Sequence, residues 1–250
     1  MRGGERHPVV TQHSALTGQG LLQSCGEWAR RNEILVSALC ALAQRYLRLS
    51  TGRGVDVGCQ KGDLTDIFAE RTRLTFWGID PEIREPRLSS EGIELLPGYA
   101  HRLPFPDSHF DCVILANVYE HIAPEWRVPS LSEMRRVLTQ GGILIGQLPN
   151  PFFPIESHSR LPFMGWLPHP VRKAYWRLAP VPWSCEEAHF FIVTIKNLKS
   201  VAESVGLETL AICNFNYPVD AIPQAVRWAA RLHNRLRLMP WAWQFVFRKA

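Results

Sequence analysis

The run Val-Asp-Val-Gly-Cys-Gln-Lys-Gly at residues 55–62 constrains the fold more than any other stretch of this chain. It begins as a β-branched strand and breaks into a turn at Gly58, and a helical pattern follows at residues 63–68. Glycine lets the backbone adopt a positive φ and approach a ligand closely. The amides at the start of the helix then face that ligand. The run therefore predicts a strand–turn–helix corner of the kind that binds nucleotide-like molecules.

A carboxylate follows at the end of the next predicted strand. Residues 74–79 have the pattern of a strand, and Asp80 comes directly after it. An acid at the tip of the second strand is well placed to accept hydrogen bonds from ribose hydroxyls. NAD and S-adenosylmethionine both carry such a ribose. The turn favours the second, because it lacks the complete G-x-G-x-x-G fingerprint and because Asp56 puts an acid inside a strand that is predicted to be buried.

Two later segments narrow the choice further. Residues 98–114 read Gly-Tyr-Ala-His-Arg-Leu-Pro-Phe-Pro-Asp-Ser-His-Phe-Asp-Cys-Val-Ile, and residues 117–122 read Asn-Val-Tyr-Glu-His-Ile. With the turn and Asp80, they resemble the class I S-adenosylmethionine-dependent methyltransferases of the small-molecule, type 11-like group. That family reads D-x-G-C-G-x-G, an acid ending strand two, G-D-A-x-x-L-P-F-P-D-x-S-F-D and L-E-H-I. The resemblance covers residues 27–210 and implies an α/β fold with a Rossmann-like, doubly wound, seven-stranded sheet.

The resemblance also implies S-adenosylmethionine as the cofactor and a set of residues that bind it. These are Asp56, Gly58, Cys59, Gln60, Gly62, Asp80, Tyr99, Ala100, His101 and Asn117. Two of them depart from the family pattern. Gln60 stands where the family has its middle glycine, and Tyr99 replaces the aspartate that reaches the adenine amino group. We therefore expect adenine to be recognised through backbone groups at Ala100 and His101. The two departures also keep open an alternative, a non-catalytic cofactor-binding or scaffold domain of the same fold.

Hydrophobic periodicity divides the chain into alternating strands and helices. It predicts helices at residues 27–47, 64–70, 131–138 and 194–205, and strands at 54–57, 74–79, 91–96, 111–116, 143–148, 207–215 and 243–247. Ser130 is the expected N-cap of the third helix, and the last strand is expected to be antiparallel at the edge of the sheet. A flexible arm at residues 1–20 is predicted to precede a single domain at residues 21–250.

Residues 149–191, after the fifth predicted strand, contain eight prolines and three tryptophans. Such proline density disfavours long regular elements. Loops after the carboxyl ends of parallel strands lie over the ligand in this type of fold. We therefore predict that this segment is a lid over the acceptor pocket. The alternative is a loop that only covers a hydrophobic edge of the sheet.

Methyl transfer to a hydroxyl requires a base, for which histidine is the common choice. The candidates are His121, after the fourth predicted strand, and His158, which Glu156 could orient within the lid. The alternative for His121 is a structural histidine that is hydrogen-bonded to a loop carbonyl. The alternative for Glu156 and His158 is a local salt bridge with Arg160. The Asn-Pro-Pro-Tyr signature of nucleic-acid amino methylation is absent after the fourth strand, so no nucleic-acid partner is expected. We predict a small-molecule, glycan or lipid-linked acceptor, methylated at oxygen.

The net charge of +5 comes from the C-terminal part of the chain. Residues 221–250 hold six basic residues and no acid, which leaves 22 basic against 23 acidic residues elsewhere. Within the insertion at residues 216–241, an apolar stripe runs beside Arg227, Arg231 and Arg235. This pattern is typical of a helix on an anionic membrane surface, or of a helix docked on its own domain with solvated arginines. The six cysteines lack C-x-x-C spacing, so no metal site and a cytoplasmic location are predicted.

Overall fold

The computed structural model describes residues 18–47, 51–156, 161–178, 191–219, 227–236 and 239–250. The strands are β1 (Arg53–Val57), β2 (Thr75–Asp80), β3 (Arg87–Leu88), β4 (Glu94–Pro97), β5 (Phe110–Ala116), β6 (Leu138–Pro149), β7 (Leu207–Phe215) and β8 (Ala242–Lys249). The helices are α1 (Gly18–Tyr46), α2 (Asp63–Thr72), α3 (Pro124–Val137), α4 (His169–Leu178), α5 (Ile195–Ser204) and α6 (Arg227–Leu236). Two 3₁₀ turns cover Tyr119–His121 and Met164–Trp166.

The strands form one sheet in the order β3-β4-β2-β1-β5-β6-β8-β7. The central strands β4, β2, β1, β5 and β6 are parallel. Their apolar runs are buried because helices cover both faces of a parallel sheet. The chain winds outward from β1 to β4 and then returns to β5 on the other side of β1. The predicted Rossmann-like, doubly wound α/β fold is confirmed, with the two-residue strand β3 as an addition.

The last strand, β8, does not lie at the edge of the sheet, so that part of the prediction is wrong. It is antiparallel, as predicted, but it pairs with β6 on one side and with β7 on the other. Phe245, Val246 and Phe247 are fully buried, which requires cover on both faces. The outer strand is β7, whose residues are mostly half-buried or exposed.

Two hydrophobic clusters cover the two faces of the sheet. On one face, Leu35 and Leu39 of α1 pack in a cluster with Ile145 of β6. On the other face, Leu131 of α3 and Leu198 of α5 pack with residues from the central strands. Helix α1 already includes Gly18, whereas the predicted arm at residues 1–20 lies almost wholly outside the described residues. The predicted domain boundaries therefore stay a prediction.

Helix α3 begins seven residues earlier than the sequence pattern predicts. Pro124 occupies its first turn, where a missing N–H costs little. Ser130 is not an N-cap, because it lies inside the helix and is buried. Pro129 accounts for the error, since a proline normally ends or kinks a helix. Here it is tolerated within the helix.

The segment predicted as a lid is described at residues 149–156, 161–178 and 191. Its first part folds back on itself: the Phe163 amide donates to the Pro154 carbonyl at 2.7 Å, and the Trp166 indole donates to the Phe152 carbonyl at 2.8 Å. The Asn150 side chain joins it to the start of β8 by donating to the Pro240 carbonyl at 2.9 Å. The segment also contains the ten-residue helix α4, a longer regular element than its proline density predicts.

Candidate cofactor and acceptor site

The predicted glycine turn lies between the carboxyl end of β1 and the start of α2. Gly58, Gln60 and Gly62 all have positive φ values, of 85°, 51° and 91°. The Gly58 amide donates to the Ile79 carbonyl at 2.7 Å and so joins the turn to β2. A Cβ on Gly58 would come within 2.4 Å of the Val118 side chain. The absence of a side chain at Gly58 therefore lets the loop after β5 pack directly against the turn.

Asp80 ends β2 and faces this turn. One oxygen of its buried carboxylate accepts the Gln60 amide at 2.9 Å, and the other accepts the Glu82 amide at 2.8 Å. A carboxylate has about four acceptor positions, so both oxygens keep capacity for ribose hydroxyls. The two predicted parts of the cofactor site are thus joined by a hydrogen bond between residues twenty positions apart.

Asp56 lies beneath the turn, and its carboxylate accepts a hydrogen bond from the Thr65 hydroxyl of α2 at 2.6 Å. The pKa of Asp56 is raised to about 7 mainly by burial; the Thr65 hydrogen bond opposes this rise, and the neighbouring Asp80 adds to it. This contact supplies the partner that a buried acid needs. Burial likewise raises the pKa of the Cys59 thiol, so this cysteine remains a thiol at neutral pH and packs beside β2.

A stack of aromatic rings follows β4, next to the end of β2. The Tyr99 and His101 rings are 5.4 Å apart, and the His101 and Trp126 rings are 4.2 Å apart, with both pairs stacked. Tyr99 and Trp126 remain partly exposed. Ala100, which lies between Tyr99 and His101 in the sequence, packs against the hydrophobic core. Sequence reasoning missed Trp126, because the predicted start of the third helix left it in a loop.

The Leu-Pro-Phe-Pro-Asp segment at residues 103–107 is fixed to α3 by one arginine. Arg136 donates to the Leu103 and Phe105 carbonyls and forms ion pairs with Glu133 and Asp107. The hydrogen bond from Arg136 holds the pKa of Glu133 below its usual range. The motif therefore has a structural role, because this network holds the loop that carries the aromatic stack.

Asn117 and His121 lie in the loop after β5. The Asn117 amide donates to the Gln147 carbonyl at 2.9 Å, and the Asn117 side-chain oxygen accepts from the Gln147 side chain at 3.0 Å. His121 ends the 3₁₀ turn, and its amide donates to the Val118 carbonyl at 2.9 Å. Because Val118 packs on Gly58, both residues belong to the loop that borders the glycine turn.

The other proposed catalytic residues are only partly covered. Glu156 is buried in the described part of the lid, where its amide donates to the Leu161 carbonyl at 3.0 Å. His158 lies outside the described residues. The pairing of Glu156 with His158 therefore stays a prediction.

The residues of the site fit S-adenosylmethionine. The left-handed turn opens into the positive end of α2, Asp80 offers carboxylate oxygens, and the Tyr99 ring offers a flat surface beside them. Within the described ranges, no group of three or more His, Cys, Asp and Glu side chains could hold a metal ion. Among the same residues, no helix has the length and apolar character needed to cross a membrane.

Comparison with known proteins supports the same assignment. A family model described as a methyltransferase domain matches residues 55–146, from β1 to the middle of β6. A "Probable S-adenosylmethionine-dependent methyltransferase" of Mycolicibacterium smegmatis is 29% identical over 143 residues, which are 54% of this chain and 51% of that protein. The ubiquinone/menaquinone biosynthesis C-methyltransferase UbiE of Pseudomonas fluorescens is 24% identical over 220 residues, which are 78% of this chain and 82% of that protein.

Solved structures agree at the level of the fold. The structure of an S-adenosylmethionine-dependent methyltransferase from Thermotoga maritima matches with a TM-score of 0.53 and 17% identity, covering 93% of this chain and 98% of that one. Three observations agree: the strand order of the sheet, the hydrogen bond between the glycine turn and Asp80, and the match to a methyltransferase domain. These findings support a class I S-adenosylmethionine-dependent methyltransferase, with S-adenosylmethionine as its cofactor.

Proposed function

We propose that this protein methylates a hydroxyl oxygen of a small-molecule, glycan or lipid-linked acceptor, and that His121 is the base. The observation that supports this is the contact between Val118 and Gly58. It brings the loop that carries Asn117 and His121 against the turn assigned to the cofactor. The acceptor then lies over the carboxyl ends of β5 and β6, on the opposite side of β1 from Asp80.

S-adenosylmethionine, when bound, supplies an electrophilic methyl group. Asp80 holds the ribose, and the Gly58 turn brings the backbone close to the cofactor. His121 accepts the hydroxyl proton as the oxygen attacks. The lid excludes water and fixes the acceptor, so that alignment supplies much of the rate. Glu156 with His158 is an alternative source of the base.

The name of the UbiE relatives favours a second candidate, methylation at carbon. The same base serves this chemistry, because removal of a phenol proton makes the adjacent ring carbon nucleophilic. Phenolic and alcoholic acceptors with ¹³C-methyl S-adenosylmethionine separate the two reactions. Nuclear magnetic resonance distinguishes an O-methyl from a C-methyl product. A C-methyl product would overturn methylation at oxygen and leave His121 as the proposed base.

The role of His121 is tested by His121→Gln, with the exposed His169→Gln of α4 as the matched control. Loss of a general base lowers kcat roughly 10²- to 10⁴-fold, whereas the control keeps wild-type kcat. Binding of S-adenosylhomocysteine should be unchanged in both variants. Wild-type kcat in His121→Gln would move the base to the lid.

We also propose that α6 brings the enzyme to an anionic membrane surface. The side chains of Trp228, Leu232 and Leu236 are 67%, 50% and 55% exposed. Arg231 and Arg235 are exposed on the same helix. A helix docked on its own domain would bury Leu232 and Leu236, so their exposure favours the membrane. The docked helix would also bury Val226, which lies outside the described residues.

Charge and position favour an anionic lipid surface as the occupant. In β8, Arg248 is paired with Glu208 and the Lys249 side chain donates to the Leu138 carbonyl. Among the described basic residues of the C-terminal part, Arg231 and Arg235 of α6 are the exposed ones. The helix adjoins the lid segment, because the His233 ring of α6 lies 5.1 Å from the Phe153 ring. Binding at α6 would therefore hold the lid side of the molecule close to a lipid-linked acceptor.

Vesicle co-sedimentation tests this proposal. We expect pelleting with vesicles that contain phosphatidylserine, little with neutral vesicles, and loss of pelleting as the salt concentration rises. Each arginine near an anionic surface contributes about 1 kcal/mol, so a double variant, Arg231→Gln with Arg235→Gln, should weaken binding roughly tenfold or more. Arg53→Gln, at the start of β1, is the control. Equal pelleting of both variants and wild type with neutral and anionic vesicles would contradict membrane binding.

A further inference from the structure

Two buried glutamines lie side by side near the carboxyl edge of the sheet. Gln147 of β6 and Gln244 of β8 are directly opposite in the antiparallel register. Their side chains therefore share one face at short distance. They are only 2% and 4% exposed. The residue opposite Gln147 on its other side is Ala116 of β5, which has a small side chain without polar atoms.

The hydrogen bonds of this pair are incomplete. The Gln147 Nε2 atom donates to Asn117 Oδ1 at 3.0 Å, which orients the Gln147 carboxamide. The Gln147 Oε1 atom and the Gln244 Nε2 atom are buried, and neither has a hydrogen-bond partner among the residues that the structure describes. Buried polar atoms in native proteins are nearly always hydrogen-bonded. Within the described part of the chain, the pair therefore has one acceptor and one donor that are not hydrogen-bonded.

The position of the pair relates it to the reaction. Strands β1, β5, β6 and β8 are consecutive in the sheet. Asn117 after β5, Gln147 on β6 and Gln244 on β8 therefore lie at increasing distance from the cofactor turn after β1. Ligands of doubly wound sheets bind at the carboxyl ends of the strands, where the winding direction reverses. In this sheet the reversal lies between β1 and β5. The glutamines and Asp80 therefore lie on opposite sides of this reversal. The proposed function assigns the side with the glutamines to the acceptor.

We propose that Gln147 and Gln244 bind a neutral hydroxyl group of the acceptor, in addition to the hydroxyl that is attacked. The hydroxyl proton is donated to Gln147 Oε1, and the hydroxyl oxygen accepts from Gln244 Nε2. One hydroxyl satisfies both atoms, since it is both a donor and an acceptor. A carboxylate has no proton for Gln147, and an ammonium has no lone pair for Gln244. This inference rests on the proposed function and defines its acceptor class as diols, catechols and hydroquinones.

The variant Gln244→Met tests the assignment, because it removes the unpaired donor and leaves the Asn117–Gln147 contact in place. Two opposite effects are expected. The Tm of the free protein rises by a few degrees, because a buried donor without a partner destabilises the fold. Binding of a hydroxyl ligand weakens about five- to tenfold, because a hydrogen bond is lost. The exposed Gln140→Met of β6 is the control and should change neither quantity.

The probes are catechol and hydroquinone, each compared with its monomethyl and dimethyl ethers, on protein saturated with S-adenosylhomocysteine. The wild type should prefer the dihydroxy probes, and Gln244→Met should lose that preference. The inference is overturned if the wild type binds the ethers as tightly, if it binds none of the probes, or if Gln244→Met keeps the wild-type preference. Failure of the wild type to bind S-adenosylhomocysteine would instead contradict the proposed function, and calorimetry measures this separately.

Discussion

At the residue scale, two neighbouring carboxylates have different roles because their surroundings differ. Asp80 accepts two backbone amides at the end of β2 and borders the turn. Asp56, one strand away, is buried with a single hydroxyl donor. Sequence reasoning placed both in the cofactor site. Only their contacts show that Asp80 joins β2 to the glycine turn, whereas Asp56 joins β1 to α2.

Replacing Asp80 should weaken cofactor binding. We expect Asp80→Ala to weaken the binding of S-adenosylhomocysteine by about 1–3 kcal/mol, because charge-assisted hydrogen bonds to the ribose are lost. Isothermal titration calorimetry measures this change. Glu91→Gln, an exposed acid between α2 and β4, is the control and should bind like the wild type. Unchanged affinity in Asp80→Ala would remove Asp80 from the cofactor site.

Replacing Asp56 should change how stability depends on pH. The unfolded chain loses the Asp56 proton near pH 4, whereas burial raises the folded pKa of Asp56 to about 7. Between these values the folded state binds more protons, so the contribution of Asp56 to stability falls as the pH rises. Asp56→Asn cannot ionise. Its stability relative to wild type should therefore increase from pH 4 to pH 7, by at most about 1.4 kcal/mol per pH unit, and level off above pH 7.

Urea unfolding at pH 5, 6, 7 and 8 measures this difference. Glu91→Gln provides the reference for removal of an exposed acid. A stability difference between Asp56→Asn and wild type that stays constant or shrinks with rising pH would show that Asp56 is ionised in the folded protein.

At the scale of elements, the glycine turn and the loop after β5 pack against each other through Gly58 and Val118. Gly58→Ala introduces a Cβ 2.4 Å from Val118 at a φ of 85°. We expect destabilisation of about 1–2 kcal/mol from the left-handed backbone and about 1–3 kcal/mol more from the overlap. Gly92→Ala is a matched control, because it has a similar φ of 83° and nothing within 4 Å.

Denaturant unfolding of both variants and of Gly58→Ala with Val118→Ala separates the two contributions. The double variant should recover part of the loss seen in Gly58→Ala. Equal destabilisation by Gly58→Ala and Gly92→Ala would mean that Val118 exerts no steric constraint on the turn.

The sequence predicted local elements well and their neighbours less well. The strand, turn and acid of residues 55–80 could be read directly, because glycine and aspartate have specific backbone and hydrogen-bonding roles. Trp126 could not be found, since Pro129 disguised the start of α3. The juxtaposition of Gln147 and Gln244 depends on the register of two strands almost one hundred residues apart. No local pattern in either strand contains that register.

At the scale of the whole molecule, we propose that the two halves of the sheet bind different molecules, the cofactor and the acceptor. Strands β1, β2 and β4 carry the turn, Asp80 and the aromatic stack, which fit the cofactor. Strands β5, β6 and β8 carry the loop with His121 and the glutamine pair, which face the proposed acceptor. The insertion of β8 between β6 and β7 could not be predicted, because alternating hydrophobicity indicates a strand but not its partners. That insertion brings Gln244 beside Gln147.

This division is the central claim, and a crystal structure of the complex with S-adenosylhomocysteine tests it most directly. We predict that the ribose hydroxyls bond the Asp80 carboxylate and that the sulfur atom faces the loop with Asn117 and His121. The acceptor should then lie between the glutamine pair and the sulfur. A complex with the ribose away from Asp80, or with the sulfur directed toward Tyr99 and away from Asn117, would contradict the account.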